Sequence, residues 1–111
     1  MKLEEALKRR EKMFEERMAI RIKKGHDYAV EEDVHRNFKA VAKMCEILGV
    51  DVSKPWGTCI FYILLKLDRT CNLLFRRKEK PQCEALEDTV AIDLANYVDL
   101  LDEILKEAGF Y

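Results

Sequence analysis

The chain has 111 residues, 49% of them apolar and 37% charged, with 20 Lys+Arg against 21 Asp+Glu. At 13.1 kDa this is one domain, because two separate cores would each be too small to stand alone. The balanced charge argues against a protein held on nucleic acid by bulk charge, and 4 Gly and 2 Pro are too few for the turns of a sandwich or barrel.

An all-α chain remains. Leu3, Leu7, Phe14, Met18 and Ile22 repeat at helical spacing and predict a first helix over 3–23, which Gly25 ends. Residues 25–33 read as a polar connection. Asp33 is placed to cap a second helix over 34–48, whose stripe is Val34, Phe38, Val41, Cys45 and Leu48 and whose stop is Gly49. Ser53 is placed to cap a third helix over 55–76, with Pro55 in its first turn, where a missing N–H does no harm. Its stripe is Trp56, Ile60, Ile63, Leu67, Cys71 and Leu74. The run from Arg76 to Pro81 reads as a solvated loop. A last helix over 84–107 carries Leu86, Val90, Leu94, Tyr97, Leu101 and Ile104. With no internal repeat, the expectation is a single four-helix bundle-like unit.

Helix three is apolar nearly all round, since Phe61, Tyr62, Leu65, Leu73 and Phe75 lie off its main stripe. Such a helix needs cover on every side, and a second copy across a two-fold axis supplies it. The expectation is a homodimer built largely on helix three; the alternative is a monomer with helix three at its centre. The four cysteines (Cys45, Cys59, Cys71, Cys83) form no CxxC pair and match no zinc spacing; three read as small hydrophobes of helices. Nothing resembles a signal peptide or a membrane span, so a reducing cytoplasm and no membrane partner are expected.

Several polar residues interrupt the apolar stripes. Turning about 100° per residue, Asn37 falls inside the apolar sector of helix two, Asp93 inside that of helix four, and Asn96 at its margin. On helix three Lys66 lies between Cys59 and Leu73 in azimuth, with Arg69 one turn later. Breaks in a binary pattern gather at functional or strained sites. An unpaired buried carboxylate is too costly for a small domain, so Asp93 needs a partner. Two readings stay open: an ion pair with Lys66 or Arg69, or a polar cleft where Asp93 holds a divalent cation while Lys66 and Arg69 face phosphates. Glu84 and Glu87 form an ExxE pair of the kind that collects Mg²⁺, or simply complement a helix N-terminus. His26, Asp27 and Tyr28 together offer an imidazole, a carboxylate and a ring, either as binding groups or as a plain turn.

The strings Lys24-Gly25-His26-Asp27-Tyr28, Asn37-Phe38, Lys66-Leu67-Asp68-Arg69, Glu87-Asp88 and Asp93-Leu94-Ala95-Asn96-Tyr97 resemble the small helical nucleotide-modification-associated proteins of phages and prophages. That group is similar to the all-α nucleoside triphosphate pyrophosphohydrolases of the MazG and dimeric dUTPase type. The resemblance spans about residues 20 to 106. It implies an oligomeric helical fold with a nucleotide as ligand, and Mg²⁺ held by acidic residues on two helices. Here Glu84, Glu87, Asp93 and Asn96 stand on one helix, whereas residues 34–48 carry no ExxE pair.

Two function classes follow. One is an enzyme that cleaves a (deoxy)nucleoside triphosphate to monophosphate and pyrophosphate. In it Asp93 and Glu87 hold metal, Lys66 and Arg69 neutralise phosphate charge, and His26 or Asp27 orients ligand or water. The other is a non-catalytic helical binding or assembly module whose buried polar groups specify subunit pairing. Nucleic-acid binding has only Arg76-Arg77-Lys78 and helix one in its favour.

Overall fold

The computed structural model describes residues 1–28, 33, 35–76 and 83–111, with the side chains of 24–28, 83 and 84 outside the described set. Helices are its main elements. Helix α1 is Leu3–Tyr28 and α2 is Arg36–Leu48; α3 is Pro55–Cys71, running on without a break into a wider-wound π segment, Asn72–Arg76. The last helix, α4, spans 83–107 in three parts: Cys83–Glu87, a π segment Asp88–Leu94, and Ala95–Glu107.

Two expected boundaries move. Gly25 does not stop α1, which keeps helical backbone through Tyr28; one glycine weakens a helix by only about 1 kcal/mol and need not end it. Arg76 belongs to the last turn of α3, half-buried, and not to a solvated loop. Val34 and residues 77–81 lie outside the described residues.

The caps also differ in detail. The α2 N-cap is His35, whose N–H donates to Asp33 Oδ1 at 3.0 Å, while Lys39 Nζ donates to Asp33 Oδ2 at 2.8 Å. These bonds hold the Asp33 carboxyl below the usual aspartate range, the Lys39 contact first. Gly49 ends α2 as expected, at φ 69°, with Gly49 N–H and Val50 N–H returning to the Glu46 and Cys45 carbonyls.

Lys54, not Ser53, is the N-cap of α3, and Pro55 stands at its first position. Asp51 organises this corner: its Oδ1 accepts from Ser53 N–H (2.9 Å) and Ser53 Oγ (2.7 Å). The Asp51 carboxyl is lowered by those two bonds. The turn crosses α3 so closely that a Cβ on Gly57 would lie 1.7 Å from the Asp51 carbonyl oxygen.

Helix α3 is central. Both α2 and α4 pack along it, and the main contacts of α1 among the described residues are with α3 and its π segment. This placement accounts for much of the all-round apolar character of α3 within one chain, leaving Tyr62, Leu67, Leu74 and Phe75 exposed on it. The deepest side chains are Val41, Leu73, Asn72 and Thr89. Three stripes are rotated from expectation. On α2, Asn37 and Val41 face inward while Phe38 and Leu48 are exposed; on α3, Cys71 is exposed; on α4, Thr89 takes the buried place expected of Val90.

Rotation on α4 follows from the π segment. In its first turns the inward side runs through Ala85 and Thr89; beyond Leu94 it runs through Tyr97, Leu101 and Ile104. On a uniform wheel those lines are about 100° apart, the equivalent of one inserted residue. Thr89 Oγ donates back to the Ala85 carbonyl at 2.7 Å, a bond that often bends helices. The far end is fastened by Phe110, edge-on to Trp56 at 5.1 Å.

Two measurements check this corner chemistry. Gly57→Ala should destabilise by about 1–3 kcal/mol in urea unfolding, because rigid backbone must shift to admit the methyl group. Asp51→Asn should lower the melting temperature at neutral pH. A carboxyl whose folded pKa is depressed stabilises above its unfolded value, near 3.9, and loses that effect as pH falls through the folded value. Wild type and variant should therefore converge in strong acid.

Candidate functional site

Two ionic contacts leave α3 on nearly opposite sides, since Lys66 and Asp68 are about 200° apart around a helix. Toward α4, Lys66 Nζ lies 3.2 Å from Asp93 Oδ2, the lysine mostly buried and the aspartate about one-third exposed. This pair belongs to a series of rungs between antiparallel helices. One turn before Lys66, Tyr62 stacks on Tyr97 with ring centres 5.5 Å apart and planes 7° from parallel. Phe61 meets Tyr62 edge-on at 5.7 Å. Another turn back, Cys59 Sγ–H donates to the Tyr97 carbonyl at 3.3 Å, and burial pushes the Cys59 thiol pKa up, so it stays protonated. Arg69, half-buried, follows Lys66 by one turn.

Toward α2 the carboxylate is Asp68, with only 3% of its side chain exposed. Its Oδ1 accepts from Arg36 Nη1 and Arg76 Nη2, each at 3.0 Å, and Arg76 Nη2 also donates to the Asp68 main-chain carbonyl at 2.6 Å. Arg76 Nε donates to Asn72 Oδ1 at 3.1 Å. Asp68 Oδ2 is buried without a hydrogen-bond partner among the described residues. Beside this network a cavity of about 350 Å³ opens between α2 and α3, with Met44, Ile47 and Leu67 among its walls.

Asp68, Arg36 and Arg76 were missed from sequence as a cluster, although a signal existed. On the helical wheel Asp68 shares a line with Gly57, Phe61 and Leu64, the same kind of intrusion that marks Asn37 and Asp93. The two arginines gave no such signal, because Arg36 lies at a helix start and Arg76 beside a run of basic residues.

Of the expected site residues, Lys66 and Asp93 are brought into contact. Asn37 is buried on α2, whereas Asn96 and Glu87 are exposed on α4. Asn96 stands about 100° from the centre of the inward line through Tyr97, Leu101 and Ile104, at the margin where the wheel put it, and faces solvent. His26, Asp27 and Tyr28 fall on the last turn of α1, not on a loop, and their side chains lie outside the described residues, as does that of Glu84. Among the described residues no three His, Cys, Asp or Glu side chains converge on one point. Cys45 is half-buried, Cys59 buried and Cys71 exposed, all as free thiols. No helix among the described residues is long and apolar enough to cross a membrane.

No family model, curated protein or solved structure matches the chain.

Asp68→Asn should destabilise the fold by about 3 kcal/mol in urea unfolding, since it leaves two guanidinium groups facing a neutral amide in a buried seam. That figure sits at the low end for a broken buried pair, because Arg36 keeps 32% of its side chain in water.

Proposed function

We propose that the chain binds a nucleotide along the α3–α4 seam. Lys66 and Arg69 take phosphate oxygens, and the Tyr62–Tyr97 stack offers a flat surface for a base. The supporting observation is the adjacency of a parallel aromatic pair and a lysine–aspartate pair one helical turn away. Phosphate favours such a cation because it brings more charge than Asp93 does, and arginine can grip phosphate bidentately. Asn37, Asn96, His26, Asp27 and Tyr28 enter this reading only through the resemblance to nucleotide-associated helical proteins. The working unit is taken to be a pair of identical chains in a reducing cytoplasm.

Cleavage of a nucleoside triphosphate is the reaction that resemblance implies, with Mg²⁺ as its metal and Asp93, Glu87 and Glu84 as carriers. The described residues do not assemble such a centre: Asp93 faces an ammonium group and Glu87 is exposed. One observation favours the second reading, a non-catalytic assembly module. The buried charges answer one another, Lys66 with Asp93 and Asp68 with Arg36 and Arg76, as they would in a network serving only to fix packing.

Calorimetry and thermal shift against a panel of ribo- and deoxynucleoside triphosphates, with and without Mg²⁺, separate the two. The nucleotide reading expects saturable binding of at least one compound, weakened tenfold or more by Lys66→Met, with the melting temperature of the unliganded variant within a few degrees of wild type. Silence across the panel selects the assembly module. Pyrophosphate release in the same samples decides whether binding is followed by hydrolysis.

A further inference from the structure

Helix α1 turns its best apolar stripe away from its own chain. Its half-buried described side chains are Ala6 and Met13. Leu7, Phe14, Met18 and Ile22 lie about 90° or more around the helix from that contact side, and Leu3 about 70°. They are well exposed, Phe14 by 58% and Ile22 by 61%. A helical stripe of this kind in water has no reason to persist without cover.

The amount of uncovered surface says what size of cover is needed. The chain exposes 8651 Å², whereas a monomer of 13.1 kDa is expected to expose about 6,400 Å². Its radius of gyration is 17.8 Å, against about 13 Å for a globular chain of this length. The excess area is about 2,200 Å², and half of it already exceeds the roughly 800 Å² per partner of a stable interface. An excess this large, on a chain whose α1 stripe is exposed and apolar, matches an obligate pairing better than a transient contact.

The borders of the stripe indicate an identical partner. Glu4, Glu11 and Glu15 follow one edge, and Arg10, Arg17 and Arg21 follow the other. When two such helices lie side by side in parallel, the acidic edge of each meets the basic edge of its neighbour, as between flanking positions of parallel coiled coils. The stripe is thus complementary to itself in charge as well as in hydrophobicity. We infer that α1 is the principal homodimer interface, its Leu7–Phe14–Met18–Ile22 stripe packed in parallel against the same stripe of a second copy. This moves the interface from the expected helix three to helix one, and it stands whether or not a nucleotide binds.

Light scattering on the full chain from 5 to 100 µM should give twice the 13.1 kDa of one chain, with a melting temperature that rises with concentration. Phe14→Glu combined with Met18→Glu should give the single-chain mass with helical circular dichroism retained. Leu67→Glu, on the exposed side of α3, should leave the dimer intact. A wild-type monomer with a concentration-independent melting temperature overturns the inference, and so does a dimer that survives the helix-one changes but is dissociated by Leu67→Glu. If the helix-one double variant unfolds, Glu11→Arg becomes the deciding variant: by placing arginine against the partner's basic edge, it should weaken dimerisation at least tenfold, and unchanged dimerisation overturns the inference.

Discussion

The packing of this chain depends on one buried carboxylate in the seam between two helices. Asp68 projects from the central helix toward α2 and holds Arg36 from that helix and Arg76 from the end of its own. Such an arrangement is a weak source of net stability, because desolvating charges offsets much of their attraction. It is a strong source of register. Sliding α2 by a turn would separate Arg36 from Asp68 and leave charge uncompensated in the seam. Lys66 does the same on the other side of α3 through Asp93. The central helix is thereby fixed against rotation from two directions.

That device matters because the apolar core is small. Among the described residues the buried hydrophobic side chains are Val41, Cys59, Leu64 and Leu73, and Asn37, Asp68, Asn72 and Thr89 share the interior with them. Apolar burial is non-directional, so a core of this size specifies few details of helix rotation. Charged and hydrogen-bonded groups on the same seams provide that specification, and they also place Tyr62 against Tyr97 beside Lys66. A nucleotide site on the α3–α4 seam would reuse groups that the fold already holds in position.

Much of this architecture was legible in the sequence, and the failures have identifiable causes. Helical spacing located four helices, and Gly49 located one stop, because an αL terminus strongly favours glycine. Gly25 was over-read, since glycine is both a breaker and a tolerated helix interior residue. Wheel arithmetic put Asn37 inside and Asn96 at a margin and left the Lys66–Asp93 pair as one of two open readings, yet it misjudged Val90 and Phe38. It assumes constant winding, and on α4 the π segment breaks that assumption; on α2 a stripe read from Phe38 and Leu48 was offset from the inward line through Asn37 and Val41. Asp68 was within reach of the same arithmetic. Its partners were not, because Arg36 and Arg76 come from different elements, and only the assembled fold brings them together.

The wide turn in α4 has a consequence for how this helix tolerates change in length. A π segment carries one residue more than regular winding requires, and Asp88–Leu94 sits between two halves whose inward lines differ by about one residue's rotation. The helix is thus two regularly wound halves joined by a wider-wound coupling. The coupling itself packs on α3, and the second half is keyed to the start of α3 where Tyr97 meets Cys59. Gains or losses of a residue within the coupling can be absorbed there as a change of pitch, while the same event in Ala95–Glu107 would turn Tyr97 and everything beyond it away from the centre.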